Sequence, residues 1–265
     1  MLTLMDTHCH LDFDRFDEDR NRVIERAEKQ GLTRILVPGI DQDSSRAAID
    51  LAEQYEMVYA AVGIHPNSGS AYNSGTRDLL VEFASHPKVV AIGEIGLDFY
   101  RQWTPQPLQR KIFREQLEIA ADLSLPVVIH DRDAHESVFQ ELVKWQVQLE
   151  KNGNELANKT GVLHSYSGNI KQAASVLNAG FYLGITGPVT YKNALDMQEV
   201  ACYVPQDRLL IETDAPYLTP HPFRGKRNEP SYVYHIAEKI AELRGTSPEQ
   251  VGRFSSDNAN HLFGW

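Results

Sequence analysis

Eight short apolar runs occur along the chain, and longer amphipathic segments separate them. The runs are rich in Val, Ile and Leu, and they cover residues 3–8, 34–40, 57–66, 88–98, 125–133, 160–168, 181–187 and 208–216. Continuous apolar runs are typical of strands that are buried on both faces of a sheet. Strands that alternate with helices predict parallel βα units, and eight such units close a (β/α)8 TIM barrel.

The length of the chain agrees with one such barrel. The sequence has 265 residues, of which 42% are hydrophobic, and a single barrel usually takes about 250 residues. We therefore predict one domain over residues 1–265, with the polar stretches 67–76 and 150–161 as surface loops. An open doubly wound sheet is the alternative. It is disfavoured because DTHCHLD (6–12), rather than a glycine-rich phosphate loop, follows the first run.

The segments between the runs carry apolar residues at helical spacing. In the segment 20–31, for example, Val23, Ile24 and Ala27 would share one face of a helix. In the segment 43–55, Asp43 or Ser44 is expected to be the N-cap, because both side chains accept hydrogen bonds from the first helical amides.

Composition limits the partners and the compartment. The formal net charge is −10, and an acidic surface repels nucleic-acid backbones, so a tight non-specific duplex binder is disfavoured. The two cysteines, Cys9 and Cys202, have no CxxC spacing and predict no disulfide framework. No signal peptide and no run of about 18 apolar residues is readable. We expect a cytoplasmic protein without membrane association, and no obligate protein partner is evident.

Side chains that can bind metals stand at the carboxyl ends of six runs. They are His8, His10, His65, Glu94, His130, His164, Glu212 and Asp214. In a parallel barrel these ends lie on one face, where active sites are built. Strand alternation places His8 and His10 on one side, with Cys9 facing the core, and also pairs Glu212 with Asp214. Buried ionisable groups are costly without compensation, so the pattern predicts a metal site.

The types of ligand constrain the metal without identifying it. Four histidines with two carboxylates are too rich in nitrogen for a pure magnesium preference. They also lack the thiolates of a structural zinc site. Mg, Mn, Zn, Co and Ni all remain candidates, and mixed ligands of this kind suit a hydrolytic centre with open coordination positions.

Seven sequence blocks resemble TatD-family metal-dependent hydrolases in order and spacing, over almost the whole chain. The blocks are DTHCHLD, GIHP, GEIGLDFY, PVVIHDRDA, GVLHSYSG, LLIETDAPYL and RGKRNEP. The resemblance independently implies a (β/α)8 barrel of the amidohydrolase-like type. It also implies a deoxyribonuclease-type phosphodiesterase. Some family members are described as 3′-to-5′ exonucleases, and others are associated with deacylation of D-aminoacyl-tRNA.

The resemblance also implies roles for individual residues. Two divalent metal ions would be bound, the first by His8, His10, Glu94 and Asp214, and the second by Glu94, His130 and His164. Glu94 would bridge the two ions, where several relatives in the wider superfamily use a carboxylated lysine. His65 would approach the scissile phosphate as a hydrogen-bond donor.

Our hypothesis for the chemistry is in-line attack on a phosphodiester by a hydroxide that the two metals share. Asp214 would be both ligand and general base, and His65 with Arg132 would stabilise charge on the phosphoryl oxygens. Arg224 and Lys226, after the last run, would contact a substrate phosphate; alternatively, they pair with nearby acids and hold their loop.

Several supporting roles remain open in the sequence. Glu212 is interpreted as a carboxylate that orients a ligand from behind, with direct metal ligation as the alternative. Asp6 has either the same role or that of capping an amide at the bottom of the barrel. The aromatic residues Tyr100 and Tyr217, with Phe99 and Trp103, could stack on a base or pack at the rim.

DNA ends or short single-stranded nucleic acid are the expected substrates, with a weak dependence on salt. A different enzyme class is the first alternative, namely hydrolysis of a carboxylic ester or amide, including a D-aminoacyl-tRNA ester. A barrel that binds metal without catalysis is the second.

Overall fold

The computed structural model describes residues 2–101 and 103–265. Eight strands within these ranges form one sheet in sequence order, and each pairs in parallel with the next. The strands are β1 (Leu4–Asp6), β2 (Leu32–Pro38), β3 (Val58–Val62), β4 (Val89–Asp98), β5 (Val127–Arg132), β6 (Gly161–Leu163), β7 (Tyr182–Ile185) and β8 (Leu209–Ile211). The predicted (β/α)8 barrel is confirmed.

Helices alternate with the strands and cover the outside of the sheet. Those in the described ranges are α1 (Arg20–Lys29), α2 (Gln42–Gln54), α3 (Ser74–Ala84), α4 (Gln106–Leu123), α5 (His135–Lys151), α6 (Ile170–Asn178), α7 (Leu195–Tyr203), α8 (Val233–Arg244) and α9 (Pro248–Phe263). Among them, none is both long and apolar enough to span a membrane.

Hydrogen bonds between the last and first strands bring the two ends of the sheet together. The Thr7 amide donates to the Ile211 carbonyl at 3.3 Å, and Cys9 forms an isolated parallel bridge with Ala215. Helix α9 covers this seam, where the Ile211 amide donates to Ser255 Oγ at 3.1 Å. Residues at the two ends of the chain therefore become neighbours at the mouth of the barrel.

Strand β5 shows how alternation positions the site. Val127 and Ile129 belong to the large cluster that packs under the helices, whereas Val128 belongs to a smaller cluster with side chains from the other strands. His130 and Arg132 share the side of Val128 by alternation. The apolar interior of the barrel therefore ends at its carboxyl face in a layer of polar side chains.

Two local expectations differ from the structure. The N-cap of α2 is Asp41, because its Oδ1 accepts the Ser44 amide at 2.8 Å while Ser44 Oγ accepts the Asp41 amide at 2.9 Å. This reciprocal capping box satisfies amides on both sides of the helix start, which a cap at Asp43 or Ser44 would not. The predicted runs also extend beyond the strands, so His8, His10, Glu212 and Asp214 lie just past β1 and β8.

Candidate metal centre

Four side chains from β1, β4 and β8 converge at the mouth of the barrel. His8 Nε2 lies 3.3 Å from His10 Nε2, 3.4 Å from Glu94 Oε2 and 3.8 Å from Asp214 Oδ1. His10 Nε2 lies 3.7 Å from each of the two carboxylates. Ligand atoms at about 2.1 Å from a tetrahedral ion are themselves about 3.4 Å apart. The ligand atoms of His8, His10 and Glu94 therefore have spacings close to those around one cation, and Asp214 Oδ1 lies within 3.8 Å of both histidine nitrogens.

A second group of potential ligands adjoins the first through Glu94. Glu94 Oε1 lies 2.7 Å from His130 Nδ1 and 2.9 Å from His164 Nε2, and these two nitrogens are 3.4 Å apart. Each oxygen of Glu94 thus faces a different set of imidazoles. The structure brings together all six residues that the resemblance assigned to metal binding.

Backbone contacts between adjacent strand ends hold the ligands in place. The Asp214 amide donates to the His8 carbonyl at 2.8 Å, and the His10 amide donates to the Ala215 carbonyl at 2.8 Å. Asp214 has a φ of 54°, a left-handed conformation that aspartate tolerates better than most residues. A turn at this point directs its carboxylate to the histidines after β1.

Burial keeps the histidines of the first group neutral. It lowers the pKa of His8 well below its usual value and that of His10 to about 4. A neutral imidazole offers a lone pair, which is the form that binds metals.

The other ionisable groups show opposing influences. Burial by itself would raise the pKa of Glu94, but the imidazoles of His164 and His65 prevail and hold it low. Burial and the charge of Glu94 raise the pKa of Asp214 well above its usual value. Burial opposes protonation of His130, but Asp98 and Glu94 outweigh it and raise the pKa to about 9. A cation would therefore displace protons from His130 and Asp214 when it binds.

The donor set fits divalent cations. Nε2 of His8 faces another imidazole nitrogen and two carboxylates, yet a neutral ring has only one hydrogen atom to share. The lone pairs on the remaining nitrogen and oxygen atoms would repel one another in a buried site. A bound cation would remove this repulsion, because it attracts all of them. Mixed imidazole and carboxylate ligands suit Zn, Mn, Co and Ni.

His65 has a defined tautomer that makes it a donor. Its Nδ1 accepts the Asn67 amide at 3.1 Å, so the neutral ring carries its proton on Nε2. Burial lowers the pKa of His65 to about 3, which keeps the ring neutral. Nε2 lies 3.6 Å from Glu94 Oε1. The Nε2–H group is thus placed to donate a hydrogen bond beside Glu94, although His65 also forms a possible ligand group with Asp98 and His130.

Glu212 is fully buried and lies behind His164. Its Oε1 accepts the Ser165 amide at 2.5 Å, and its Oε2 accepts from Thr7 Oγ1 at 3.2 Å. Oε1 also lies 3.7 Å from His164 Nδ1. Asp214 Oδ1 faces His8 and His10, so the two carboxylates contact different imidazoles. They still interact, because burial and, to a smaller extent, the charge of Asp214 raise the pKa of Glu212 to about 7.

A glycine on the neighbouring strand makes room for Glu212. A Cβ on Gly184 would lie 2.4 Å from Glu212 Oε2, so any side chain there would displace the carboxylate. This close approach is a reason for glycine in the middle of β7.

Asp6 connects β1 to β8 through the backbone. It accepts the Thr213 amide at 2.8 Å, Thr213 Oγ1 at 2.5 Å and the His8 amide at 3.3 Å. Its contacts are therefore with amides beside the ligands. They do not lie at the bottom of the barrel, which was the other possibility considered for Asp6.

Sequence reasoning missed Asp98, the last residue of β4. Its Oδ2 lies 3.4 Å from His130 Nε2 and accepts from Asn67 Nδ2 at 2.7 Å, while Oδ1 accepts the Tyr100 and Arg101 amides. Asp98 therefore connects a candidate ligand to the loop after β4. Its position at the carboxyl end of a predicted strand was the signal that could have identified it.

The basic side chains at the mouth have different environments. Arg227 pairs with Asp19 at 2.8 Å, but no carboxylate among the described residues lies within ion-pair distance of Arg132, Arg224 or Lys226. The Arg224 guanidinium instead lies 4.4 Å from the Tyr191 ring, and Lys226 Nζ lies 5.5 Å from the Phe223 ring. Arg227 is thus the residue that holds this loop through an ion pair. The charges of Arg224 and Lys226 have no carboxylate partner among the described residues and are free to attract a phosphate.

We expect the Glu212→Gln variant to bind the metals about 10- to 100-fold more weakly, because residues that orient ligands have effects of this size. The amide would replace a charged acceptor at the Ser165 amide and His164. Titration of metal-free protein with Mn²⁺ measures the change, and circular dichroism checks that the fold is retained. Unchanged metal affinity would show that Glu212 does not support the centre.

Known proteins resemble this chain over almost its entire length. It is 42% identical over 260 residues to the metal-dependent hydrolase YabD of Bacillus subtilis, with 98% of each chain covered. It is 36% identical over 265 residues to the 3′-5′ ssDNA/RNA exonuclease TatD of Salmonella typhimurium, again with 98% of each covered. The crystal structure of YjjV, a TatD homologue from Escherichia coli, superimposes with a TM-score of 0.90 at 31% identity, over 99% of this chain and 98% of the other.

Residues 5–264 match the family described as TatD related DNase. Together with the barrel, its ligand cluster at the carboxyl face and the full-length relatives, this match identifies the family. The chain belongs to the TatD-related DNase family of metal-dependent hydrolases.

Proposed function

We propose that this chain is a metal-dependent phosphodiesterase that removes nucleotides from the 3′ ends of single-stranded DNA or RNA. The observation that carries the proposal is the pair of adjoining ligand groups that share Glu94 through separate oxygens. Two-metal sites of this kind are used for in-line displacement at phosphorus. The exonuclease named among the relatives supports the same reaction.

The proposed ligands of one cation are His8, His10, Glu94 and Asp214, and those of the other are Glu94, His130 and His164. When bound, the cations supply Lewis-acid activation of a phosphoryl oxygen and of the attacking water. The metals themselves are proposed to be two divalent ions from among Mg, Mn, Zn, Co and Ni, since mixed nitrogen and oxygen ligands accept all of these.

Asp214 is the proposed general base. Its side chain is 15% exposed, whereas that of Glu94 is 4% exposed and has both oxygens directed at imidazoles. Asp214 is therefore the ligand carboxylate that a water at the mouth can reach. A carboxylate in this position can accept or orient the proton of that water.

His65 and Arg132 are the proposed stabilisers of charge on the phosphate. The proton on His65 Nε2 points towards the candidate metal centre. A neutral donor can stabilise a developing negative charge there, and unlike a charged one it does not repel nearby cations. Arg132 shares the side of His130 on β5 and is exposed at the mouth. Its guanidinium is suited to two oxygens of one phosphate.

A direct assay separates this function from its alternatives. Metal-free protein is reloaded with Mg²⁺, Mn²⁺, Co²⁺ or Zn²⁺ and given a single-stranded oligonucleotide labelled at its 5′ end, a blunt duplex and a D-aminoacyl-tRNA. We expect successive shortening of the single strand from its 3′ end and much slower loss of the duplex. Cleavage of the aminoacyl ester with the oligonucleotide intact under every metal would contradict the proposal.

Arg224→Ala and Lys226→Ala are each expected to weaken oligonucleotide binding and to reduce the steepness of its salt dependence by about one. Each residue would contribute one phosphate contact, and the wild-type dependence itself should be shallow because the chain carries a net charge of −10. Fluorescence anisotropy between 50 and 200 mM salt, a range in which such contacts are resolved, measures both effects. The exposed Arg253 on α9 gives the matched control Arg253→Ala. An equal effect there would contradict a specific role for the loop.

A further inference from the structure

Tyr217 is connected to the metal-ligand cluster through stacked rings. It follows Asp214 by three residues, and its amide donates to the Asp214 carbonyl at 2.9 Å. The Phe13 ring stacks on His10 with centroids 4.6 Å apart, and the Tyr217 ring meets Phe13 edge to face at 6.2 Å. Tyr217 nevertheless remains 48% exposed. The Tyr217 ring therefore packs against Phe13, and its exposed part faces solvent beside the candidate metal centre.

Tyr100 has an equivalent position in the loop after β4. Asp98 Oδ1 accepts the amides of Tyr100 and Arg101, while Oδ2 of the same carboxylate lies 3.4 Å from His130 Nε2. The Arg132 guanidinium lies 4.3 Å from the centre of the Tyr100 ring. The ring is 63% exposed. Its loop is therefore anchored to a candidate metal ligand, and a cation covers part of the ring.

The order of strands places these two rings across the mouth from each other. Tyr217 belongs to the loop after β8, beside β1, and Tyr100 belongs to the loop after β4, beside β5. Three strands lie between β8 and β4 in either direction around an eight-stranded barrel. The ligand cluster, to which β1, β4, β5, β6 and β8 contribute, lies between them.

We propose that Tyr217 and Tyr100 are two base-stacking subsites, one on each side of the phosphodiester at the metal centre. This inference rests on the proposed function. Each ring takes one unpaired nucleobase of a single strand, and Arg132 adds a cation to the Tyr100 subsite. Aromatic rings bind bases of any sequence through their faces, and tyrosine loses little conformational entropy when it does so.

Two further observations favour stacking as the source of affinity. The net charge of −10 leaves little long-range attraction for a phosphate backbone, so contacts with bases would add affinity that the few phosphate contacts at the mouth do not supply. In a duplex both faces of each base are covered by its neighbours. Subsites that need free faces on two nucleotides would therefore select single strands without reading their sequence.

The test combines variants with abasic substrates in a double-mutant cycle. Tyr217→Ala and Tyr100→Ala are assayed on a single-stranded oligonucleotide and on two matched versions, each with an abasic residue on one side of the scissile phosphodiester. We expect each variant to lower kcat/KM on the intact strand about 10-fold. We expect the abasic residue at the matching position to cost the wild type a similar factor, and to cost the corresponding alanine variant almost nothing further.

Control variants separate stacking from general effects. Tyr217→Phe and Tyr100→Phe keep the ring and should restore most of the loss. Tyr203→Ala removes a ring of similar exposure, 46%, from helix α7 and should behave as the wild type does on all three substrates. Thermal unfolding of each variant shows whether it is folded at the assay temperature.

The possible outcomes are distinguishable. Non-additive penalties, confined to one position for each ring, support the two subsites. If each variant and each abasic residue lowered kcat/KM by independent factors that multiply in every combination, stacking would be refuted. The proposed function would survive that result, because the wild type would still degrade the strand. If metal-loaded wild type does not degrade single strands at all, the proposed function itself fails, and the subsites fail with it.

Discussion

Asp214→Asn is expected to lower kcat on single-stranded oligonucleotide by about 10³-fold or more, at the upper part of the range for loss of a general base. Asparagine keeps the shape of the side chain, but it neither accepts the proton of the attacking water nor provides an anionic ligand opposite His8 and His10, whose Nε2 atoms lie 3.8 and 3.7 Å from Oδ1. Initial rates at saturating substrate and saturating Mn²⁺ measure the loss.

The matched control uses the other end of the same βα unit. Asp207 lies just before β8 and its side chain is 74% exposed, so Asp207→Asn should leave the rate unchanged. Circular dichroism and a melting curve for both variants exclude misfolding. A rate within tenfold of the wild type for Asp214→Asn would remove Asp214 from the catalytic steps, even if the metal content stayed the same.

Glu94→Gln is expected to have the largest effect on metal content, reducing it from about two ions per chain to about one or none. The carboxylate is within 3.7 Å of imidazole nitrogens in both ligand groups, and its negative charge screens the repulsion between two cations. A glutamine side chain has only one oxygen that can bind a cation, because its NH2 group only donates hydrogen bonds, so it cannot serve both groups. Metal analysis after dialysis gives the stoichiometry, and activity should fall at least 100-fold.

A second measurement makes this result independent of activity. Bound metals stabilise the folded state by mass action, so a chelator should lower the melting temperature of the wild type and change that of Glu94→Gln much less. Glu118→Gln, at an exposed position of α4, is the control and should respond to the chelator as the wild type does. Two ions retained by Glu94→Gln would contradict a bridging role.

The pattern of apolar runs was sufficient to predict the architecture, because strands buried on both faces need continuous Val, Ile and Leu. The same pattern placed the polar residues at strand ends, and parallel connections bring such ends to one face whatever the details of the loops. The pattern thus placed eight candidate residues at one face, and the family resemblance implied that six of them bind metals, namely His8, His10, Glu94, His130, His164 and Asp214. Their convergence to within 2.7–3.8 Å of neighbouring ligand atoms is a property of the folded barrel.

Other features depended on contacts that no local pattern contains. Asp41 is the N-cap of α2 because it and Ser44 exchange hydrogen bonds between side chain and backbone amide. Asp98 belongs to the site because Asn67 and His130 lie beside it in space. Asp131, which follows His130 on β5, pairs with His135 at 2.7 Å, because strand alternation turns its side chain away from that of His130.

The sequence by itself determined the barrel, the face that carries the chemistry and the kinds of ligand available there, since periodicity and residue type report burial and coordination preference directly. Only the tertiary structure decided which imidazoles each oxygen of Glu94 faces and which nitrogen of His65 carries the proton. It also decided that Glu212 lies 3.7 Å from His164 Nδ1 while Asp214 faces His8. These features arise from distances between residues as many as 206 positions apart, such as His8 and Asp214. Such distances are set when β8 closes against β1 and not by any stretch of sequence alone.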